Sequence, residues 1–383
     1  MVTGQQHAAP NRALVVSHPC VIPANQSVFA FLAHHGWRLD LVVPSQWSHP
    51  YADGQIAAIK LPDLEGGFHR RRVAMVGQPQ RHFYPNGCSR VLRRVMPDVA
   101  FVEEESFSIP AFQWGLACWR RGIPFGVQSD ENLERALPLP ARICRAWTLR
   151  HAAFVAARSP KAKELTERWG ARGRVEVIPH AVPSWPSASV KKGSGTFTIG
   201  FAGRLVPEKG LFDLLAAACR LPAPVRVMIV GNGPLKDELA QVRHEGVEIE
   251  IATDIKHEDM ARAFAAMDVL ALPSRTTRTW AEQFGRVLVE ALWCGVPVVG
   301  SDSGEIPWVI ETTGGGLVFP EGDVAALAAA LDSLRRQPDE RSRLASTGRE
   351  AVERLFSTEA AGHALGELLA SAARTAATSR ATR

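Results

Sequence analysis

Short apolar runs alternate with helical patterns along nearly the whole chain. Residues 13–17 (ALVVS) form a continuous apolar run, as a strand buried on both faces requires. Pro23 and Asn25 precede residues 26–35, where Val28, Phe31, Leu32 and His35 fall at i, i+3, i+4 and i+7. That spacing predicts a helix, and Gly36 stands where a helix-ending glycine belongs. Residues 39–43 (LDLVV) and 99–102 (VAFV) predict further strands, the second followed by Glu103, Glu104 and Glu105. Ser108 and Pro110 open a helix that ends at Gly122, and residues 123–127 return as a strand. Around 182–195 (VPSWPSASVKKGSG) the composition turns to Pro, Ser, Lys and Gly, which is linker chemistry. The rhythm then restarts, with strands expected at 197–201, 225–230, 247–251, 269–272 and 297–300.

Alternating strands and helices predict parallel sheets made of βαβ units. The expected fold class is therefore α/β, with two doubly wound Rossmann-like domains. The expected boundaries are 1–186, a linker at 187–195, a second domain at 196–357, and a C-terminal helix with a frayed tail at 358–383. Ligands of open parallel sheets sit beyond the carboxyl ends of the strands. Two such domains are expected to face each other across a cleft.

Composition narrows the function classes. The 383 residues, 46% apolar and 22% charged, are those of a globular chain able to bury a large core without disulfides or metal. Cys20, Cys88, Cys118, Cys144, Cys219 and Cys294 are scattered, with no C-x-x-C pair. That argues against a disulfide framework or a Cys-rich zinc site and for reduced thiols in the cytoplasm. The polar start (MVTGQQHAAPNR) lacks the apolar stretch of a signal peptide. No run approaches the ~18–20 apolar residues of a membrane span. A cytoplasmic location is expected, with peripheral contact at the inner face of the membrane as a possibility.

The charge is uneven. Residues 1–190 carry 22 Lys+Arg against 14 Asp+Glu (+8), and residues 191–383 carry 22 against 25 (−3), summing to the net +5. Arg70–Arg72, the trio Arg90, Arg93 and Arg94, and Arg120 with Arg121 lie in the basic half. Such a half suits anionic lipid, nucleic acid or a phosphorylated acceptor, and reads equally well as solvated arginines.

Several common motifs are absent. Gly231-Asn232-Gly233 follows a strand but lacks the third glycine of a dinucleotide fingerprint. Gly203–Gly210 (GRLVPEKG) lacks the G-K-[ST] of a P-loop. His244-Glu245 and His257-Glu258 lack the second histidine of H-E-x-x-H, and GSDSG at 300–304 has Asp302 where a nucleophile elbow needs serine.

Two segments remain. In GRLVPEKG, Gly203 lets the chain turn at the end of a strand, which puts Arg204 and Lys209 beside a helix start, a setting suited to a diphosphate. In WAEQFGRVLVEALWCG (280–295), Glu282 and Glu290 flank Phe284-Gly285, at an expected helix N-terminus whose amides attract anions. Glu290 lies among apolar positions and needs partners, which a pair of sugar hydroxyls would supply. Each segment alone also reads as a surface loop or an ordinary amphipathic helix.

Together with CGVPVVGSDSGEIP (294–307), these segments resemble glycosyltransferase family 4, whose members are retaining GT-B enzymes using nucleotide-activated sugars. SHPCVIPANQ (17–26), PDVAFVEEESFSIPAFQ (97–113) and VIPHAV (177–182) are similar to a bacterial branch of that family. The resemblance implies that Arg204 and Lys209 contact the donor diphosphate and offset charge on the leaving group. It places Glu282 near the donor sugar, Glu290 on the ribose, and Gly203 with the amides of Phe284 and Gly285 at the sugar or diphosphate. Ser274 and the segment from Thr253 to Ile255 would line the nucleotide pocket. Retention is drawn in this family as front-face attack, with the leaving phosphate taking the proton. No metal or other cofactor is then needed beyond the nucleoside diphosphate sugar.

Two departures concern the first half. The glycine-rich loop common after the first strand is replaced by SHPCVIPANQS, where His18, Asn25 and Gln26 become the acceptor-side candidates. The histidine common in an H-E-P setting gives way to Glu103–Ser106, with Glu104 nearest its place. Three adjacent carboxylates repel, which raises the pKa of one of them, and Glu104 could orient or deprotonate an acceptor hydroxyl. The expectation is transfer of a sugar from a nucleotide-sugar donor to a glycan, a lipid-linked acceptor or a small molecule. The alternatives are a nucleotide-sugar epimerase and a non-catalytic GT-B binding protein. Nucleic acid is not an expected partner, since no recognition motif accompanies the positive charge.

Overall fold

The computed structural model describes residues 11–381 except 49–53, 86, 183–184, 186–194, 254 and 257–258. The chain divides into two compact units, Met1–Pro179 with Thr358–Arg383, and His180–Ser357. The expected linker at 187–195 lies, apart from Gly195, outside the described residues.

The first unit comprises β1 (Arg12–Ser17), α1 (Ser27–His34), β2 (Arg38–Pro44), a small antiparallel pair β3 (Gln46–Ser48) and β4 (Gln55–Ala57), then β5 (Gly67–Arg71), α2 (Cys88–Val95) and β6 (Val99–Glu105). It continues through α3 (Ile109–Trp119), β7 (Phe125–Ser129), α4 (Leu139–His151), β8 (Phe154–Ala157), α5 (Pro160–Arg168) and β9 (Arg174–Val177). Its seven strands are parallel in the order β5-β2-β1-β6-β7-β8-β9. The central strands are apolar because helices cover both of their faces. Serine caps set two of the helix starts: Ser108 Oγ accepts from the Ala111 amide (3.2 Å) and Ser159 Oγ from the Ala162 amide (3.1 Å), each followed by a proline in the first turn. Helices α2, α3 and α4 pack one face of the sheet through Val91, Leu92, Trp114 and Leu149 against Leu14, Val16, Val102 and Val127.

The second unit comprises β10 (Phe197–Ala202), α6 (Leu211–Ala218), β11 (Val225–Val230), α7 (Lys236–Gln241), β12 (Val247–Ala252), α8 (Met260–Ala265) and β13 (Val269–Leu272). It ends with α9 (Arg286–Trp293), β14 (Val298–Ser301), α10 (Ile306–Thr313), β15 (Gly316–Phe319), α11 (Val324–Arg336) and α12 (Pro338–Leu355). Its six parallel strands run β12-β11-β10-β13-β14-β15.

The last helix, α13 (Thr358–Ala381), returns to the first unit and packs beside α1. It continues through residues that the sequence reads as a frayed end. Leu365, Leu368, Leu369 and Ala372 form a buried stripe at helical spacing, and His363 meets the Phe31 ring edge-on at 4.9 Å. No helix among the described residues is long and apolar enough to cross a membrane, and all six cysteines are free thiols. In each large sheet the strand order reverses once near the middle, between β1 and β6 and between β10 and β13. These are the switch points at which such sheets bind ligands.

Candidate functional site

At the switch point of the second unit, GRLVPEKG leaves β10 and meets the segment leaving β13. Gly210 caps α6 with φ +65°, and a Cβ there would lie 1.9 Å from the Pro273 carbonyl oxygen. Only glycine permits both the left-handed turn and this approach. The contact is fastened on either side: the Arg275 amide donates to the Glu208 carbonyl (2.8 Å), and the Arg275 guanidinium grips Asp213 of α6 through two bonds of 2.6 Å. Lys209 is thereby carried to Glu282, with Nζ donating to Oε2 at 2.5 Å. Ser274 Oγ donates to the same oxygen (2.9 Å), and Lys209 also lies over the Trp280 ring, 5.2 Å from its centroid.

Glu282 is seated from behind. Its carbonyl accepts from the Glu305 amide (3.0 Å), and the adjoining Gly304 leaves no room for a Cβ, which would lie 2.1 Å from that carbonyl oxygen. Beyond it, Phe284 is buried and Gly285 (φ +72°) begins α9 without a side-chain cap. Glu290, one turn into α9, is half-buried. Burial raises its pKa, and Arg286, whose Nε lies 3.0 Å away, partly offsets the rise. Arg204 is exposed and carries no ion pair among the described residues. Ile255 packs at the margin of the unit's apolar core. Thr253 is described, whereas Asp254 lies outside the described residues.

At the switch point of the first unit, β6 extends through all three glutamates instead of stopping at Val102. Its register with β7 shifts between Val102 and Glu105, a bulge that lets each carboxylate find its own partner. Glu103 accepts from buried Arg158 (2.7 Å), and Glu105 accepts from the Asp130 amide (2.6 Å). Glu104, only 2% exposed, faces His18 at the end of β1. Both Glu104 oxygens lie 2.8 Å from His18 Nδ1, so that nitrogen carries a proton and donates it. The His18 amide donates to Oε1 as well (3.2 Å). Burial pushes the His18 pKa down, but Glu104, helped by Glu103 and Asp130, outweighs it and the net shift is upward. The carboxylate with the raised pKa is Glu105, where burial beside Asp130 and Glu131 pushes it well above the usual range.

His82 completes this cluster. It is fully buried, with Nδ1 donating to the Pro79 carbonyl (3.0 Å) and Nε2 3.6 Å from Glu104 Oε1, without a hydrogen-bond partner among the described residues. Burial lowers its pKa. Trp47 packs on both imidazoles, 4.9 Å from His18 and 5.0 Å from His82.

The structure thus brings Lys209, Glu282 and Ser274 into contact in one unit, and His18 and Glu104 in the other. Ser274 is sealed and its hydroxyl is spent on Glu282. Asn25 and Gln26 end a tight 3-10 turn before α1. The Gln26 side chain is fully committed, donating to the Cys20 and Ile59 carbonyls and accepting from the Leu61 amide, while Asn25 holds the Pro19 carbonyl (2.9 Å). Both brace the loop that replaces a glycine-rich turn. Sequence reasoning missed His82, Trp47, Trp280 and Arg286. Of these, only Arg286 carried a signal, its i,i+4 spacing from Glu290.

Residues 187–351 match the family model described as "Glycosyl transferases group 1". A curated relative from Corynebacterium glutamicum, a GDP-mannose-dependent monoacylated alpha-(1-6)-phosphatidylinositol monomannoside mannosyltransferase, is 33% identical over 200 residues, covering 50% of this chain and 52% of its own. A D-inositol 3-phosphate glycosyltransferase from Mycobacterium marinum is 36% identical over 147 residues, or 36% of this chain and 30% of its own. The chain thus spans about half the length of the first and less of the second. Anabaena HepE, solved in complex with UDP, superposes on 94% of this chain and 100% of its own with a TM-score of 0.69 at 19% identity, which shows a shared GT-B fold.

Proposed function

We propose that the chain is a glycosyl transferase of group 1, the family whose model matches its second unit, and that it moves a sugar from a nucleoside diphosphate sugar to an acceptor hydroxyl with retention at the anomeric carbon. The observation that carries this reading is the Lys209–Glu282–Ser274 contact at the β10/β13 switch point. A cation and a carboxylate held there by backbone geometry provide one group for a diphosphate and one for a sugar hydroxyl.

In this reading Lys209 turns part of its charge from Glu282 to the donor phosphates when the donor binds, and exposed Arg204 joins it. Both then stabilise the charge that builds on the leaving diphosphate. Ser274 keeps Glu282 oriented, Glu290 takes the ribose hydroxyls, and the Phe284 and Gly285 amides at the start of α9 face the sugar. The leaving phosphate accepts the acceptor proton, so the cationic role needs no metal. On the acceptor side Glu104 holds His18 with Nδ1 protonated, which orients the imidazole toward an acceptor or donor hydroxyl. The acceptor classes are a glycan, a glycolipid or a small glycoside, and the site of action is the cytoplasmic face of the membrane.

The test is transfer from GDP-mannose and UDP-glucose, the first suggested by the corynebacterial relative's name and the second by the UDP in the HepE structure, to a panel of glycolipid and inositol-containing acceptors. Product anomers would be assigned by NMR, with and without EDTA. Product of retained configuration, unaffected by EDTA, is expected. An inverted product, or donor isomerisation without an acceptor, would overturn the reading.

A further inference from the structure

The layer formed by α2, α3 and α4 has an unusual charge pattern. Residues 87–95, 109–122 and 139–151 contain eight arginines and no Asp or Glu. Six of these arginines are exposed: Arg90, Arg93 and Arg94 on α2, Arg120 at the end of α3, and Arg142 and Arg150 on α4. None of the eight forms an ion pair among the described residues. Several arginines on the helices of the second unit instead pair along their own helix, as Arg335–Asp332, Arg343–Glu340 and Arg349–Glu353.

The outward side of this layer is also apolar. On α4, Leu139, Arg142, Ile143, Ala146 and Arg150 fall at i, i+3, i+4, i+7 and i+11 and are all exposed. Leu139 is 65% and Ile143 57% exposed, on the side of the helix turned away from the sheet. Trp119 closes α3 at 53% exposure, next to Arg120. A helix that turns leucine and isoleucine outward between arginines has the pattern of one lying in a lipid headgroup layer. A tryptophan suits the same depth, with an apolar body and a polar N–H. Nucleic acid would reward the arginines but not Leu139 or Ile143.

We infer that the α2–α3–α4 face of the first unit seats the protein on an anionic bilayer. The arginines meet lipid phosphates, and Leu139, Ile143 and Trp119 enter the acyl boundary. The inference rests on the proposed transfer only in that the acceptor is then held in the same bilayer. Binding to the bilayer is measured without any transfer.

The full chain would be floated with vesicles of phosphatidylcholine alone and of equimolar phosphatidylcholine and phosphatidylglycerol, at low and high salt. Binding is expected to the anionic vesicles only and to fade with salt. Each exposed arginine lost weakens partition by about fivefold, so R93S/R94S costs about twenty-fivefold. L139S/I143S is expected to weaken binding with the salt dependence kept. Failure of the wild type to float, or variants that float like the wild type, would overturn the inference. Duplex DNA binding as tight as that to vesicles, and unchanged in L139S/I143S, would assign the face to nucleic acid instead. Calorimetric binding of nucleoside diphosphates separates the two readings: donor binding without flotation undoes only this inference, and flotation without donor binding undoes only the transfer reading.

Discussion

Beyond the end of β13, Glu282 meets a lysine that is 15% exposed and lies over the half-buried Trp280 ring. At the end of β6, Glu104 meets His18 and His82 and is 2% exposed, and the Trp47 and Tyr84 rings pack against His82. The two sheets use the same topological position for different chemistry. In the proposed reading the first pair is an exchangeable contact: backbone bonds set its geometry, so the lysine divides its charge with an entering anion without losing its place. The second is a fixed one: the sealed carboxylate cannot turn to a ligand, and its effect reaches the site through the protonation and orientation of His18.

The sharpest way to break that comparison is Lys209→Ala. It removes the cation aimed at the leaving group and is expected to lower kcat/KM by about 10²–10³-fold, with the melting profile of the first unit unchanged. Glu104→Gln comes next, with a loss of about ten- to a hundredfold. It also lowers the His18 pKa, read by NMR titration of the imidazole. The sign of the stability linkage follows. His18 is raised in the fold, so its pairing stabilises in full below about pH 6.5, the unfolded value, and the contribution is lost as pH rises through the folded value. In Glu104→Gln the stabilisation below that pH is lost, because burial, the largest influence on His18, is left to lower its pKa. If Glu104→Gln left the His18 titration where it is, the carboxylate would not be what fixes the imidazole.

Smaller effects test the scaffolding. Gly210→Ala places a side chain at φ +65° against the Pro273 carbonyl and should destabilise the second unit by about 1–3 kcal/mol, read in denaturant melts. Glu105→Gln should do the reverse in the first unit. Glu105 is driven toward its protonated form by burial and by Asp130 and Glu131, so its charge costs stability at neutral pH. Its replacement by glutamine gains about 1 kcal/mol at pH 7, a gain that vanishes near pH 4 where glutamate is already neutral.

Most strands buried on both faces were legible in the sequence because apolar residues dominate them: β11 and β13 span the expected residues, and β1, β2 and β10 differ by a residue or two, whereas the short β8 was missed. Of the outer strands only β12 was, at 247–251. In β5 (GFHRR) and β9 (RVEV) one edge faces water, so polar side chains break the run. The return of α13 to the first unit depends on packing with α1, a contact across more than three hundred residues that no local pattern records. Among the site residues, Lys209, Glu282 and Glu104 stood out as charges at strand ends. His82 did not, because QPQRHFYP reads as loop and only strand pairing between β1 and β6 creates the pocket it enters. The glutamate trio was legible as a cluster but misleading as one. The bulge in β6 separates the three, and the raised pKa falls on Glu105, beside two further carboxylates.

The central claim is that a nucleoside diphosphate binds where Lys209 meets Glu282. Calorimetric titration of UDP, GDP, ADP and dTDP into the wild type and Lys209→Ala tests it most directly. The account predicts that one of the four binds the wild type and binds the variant at least about tenfold more weakly, as loss of a charge-assisted bond of about 1.5–3 kcal/mol implies. Binding that is equally tight in the variant, or absent for all four, would contradict it.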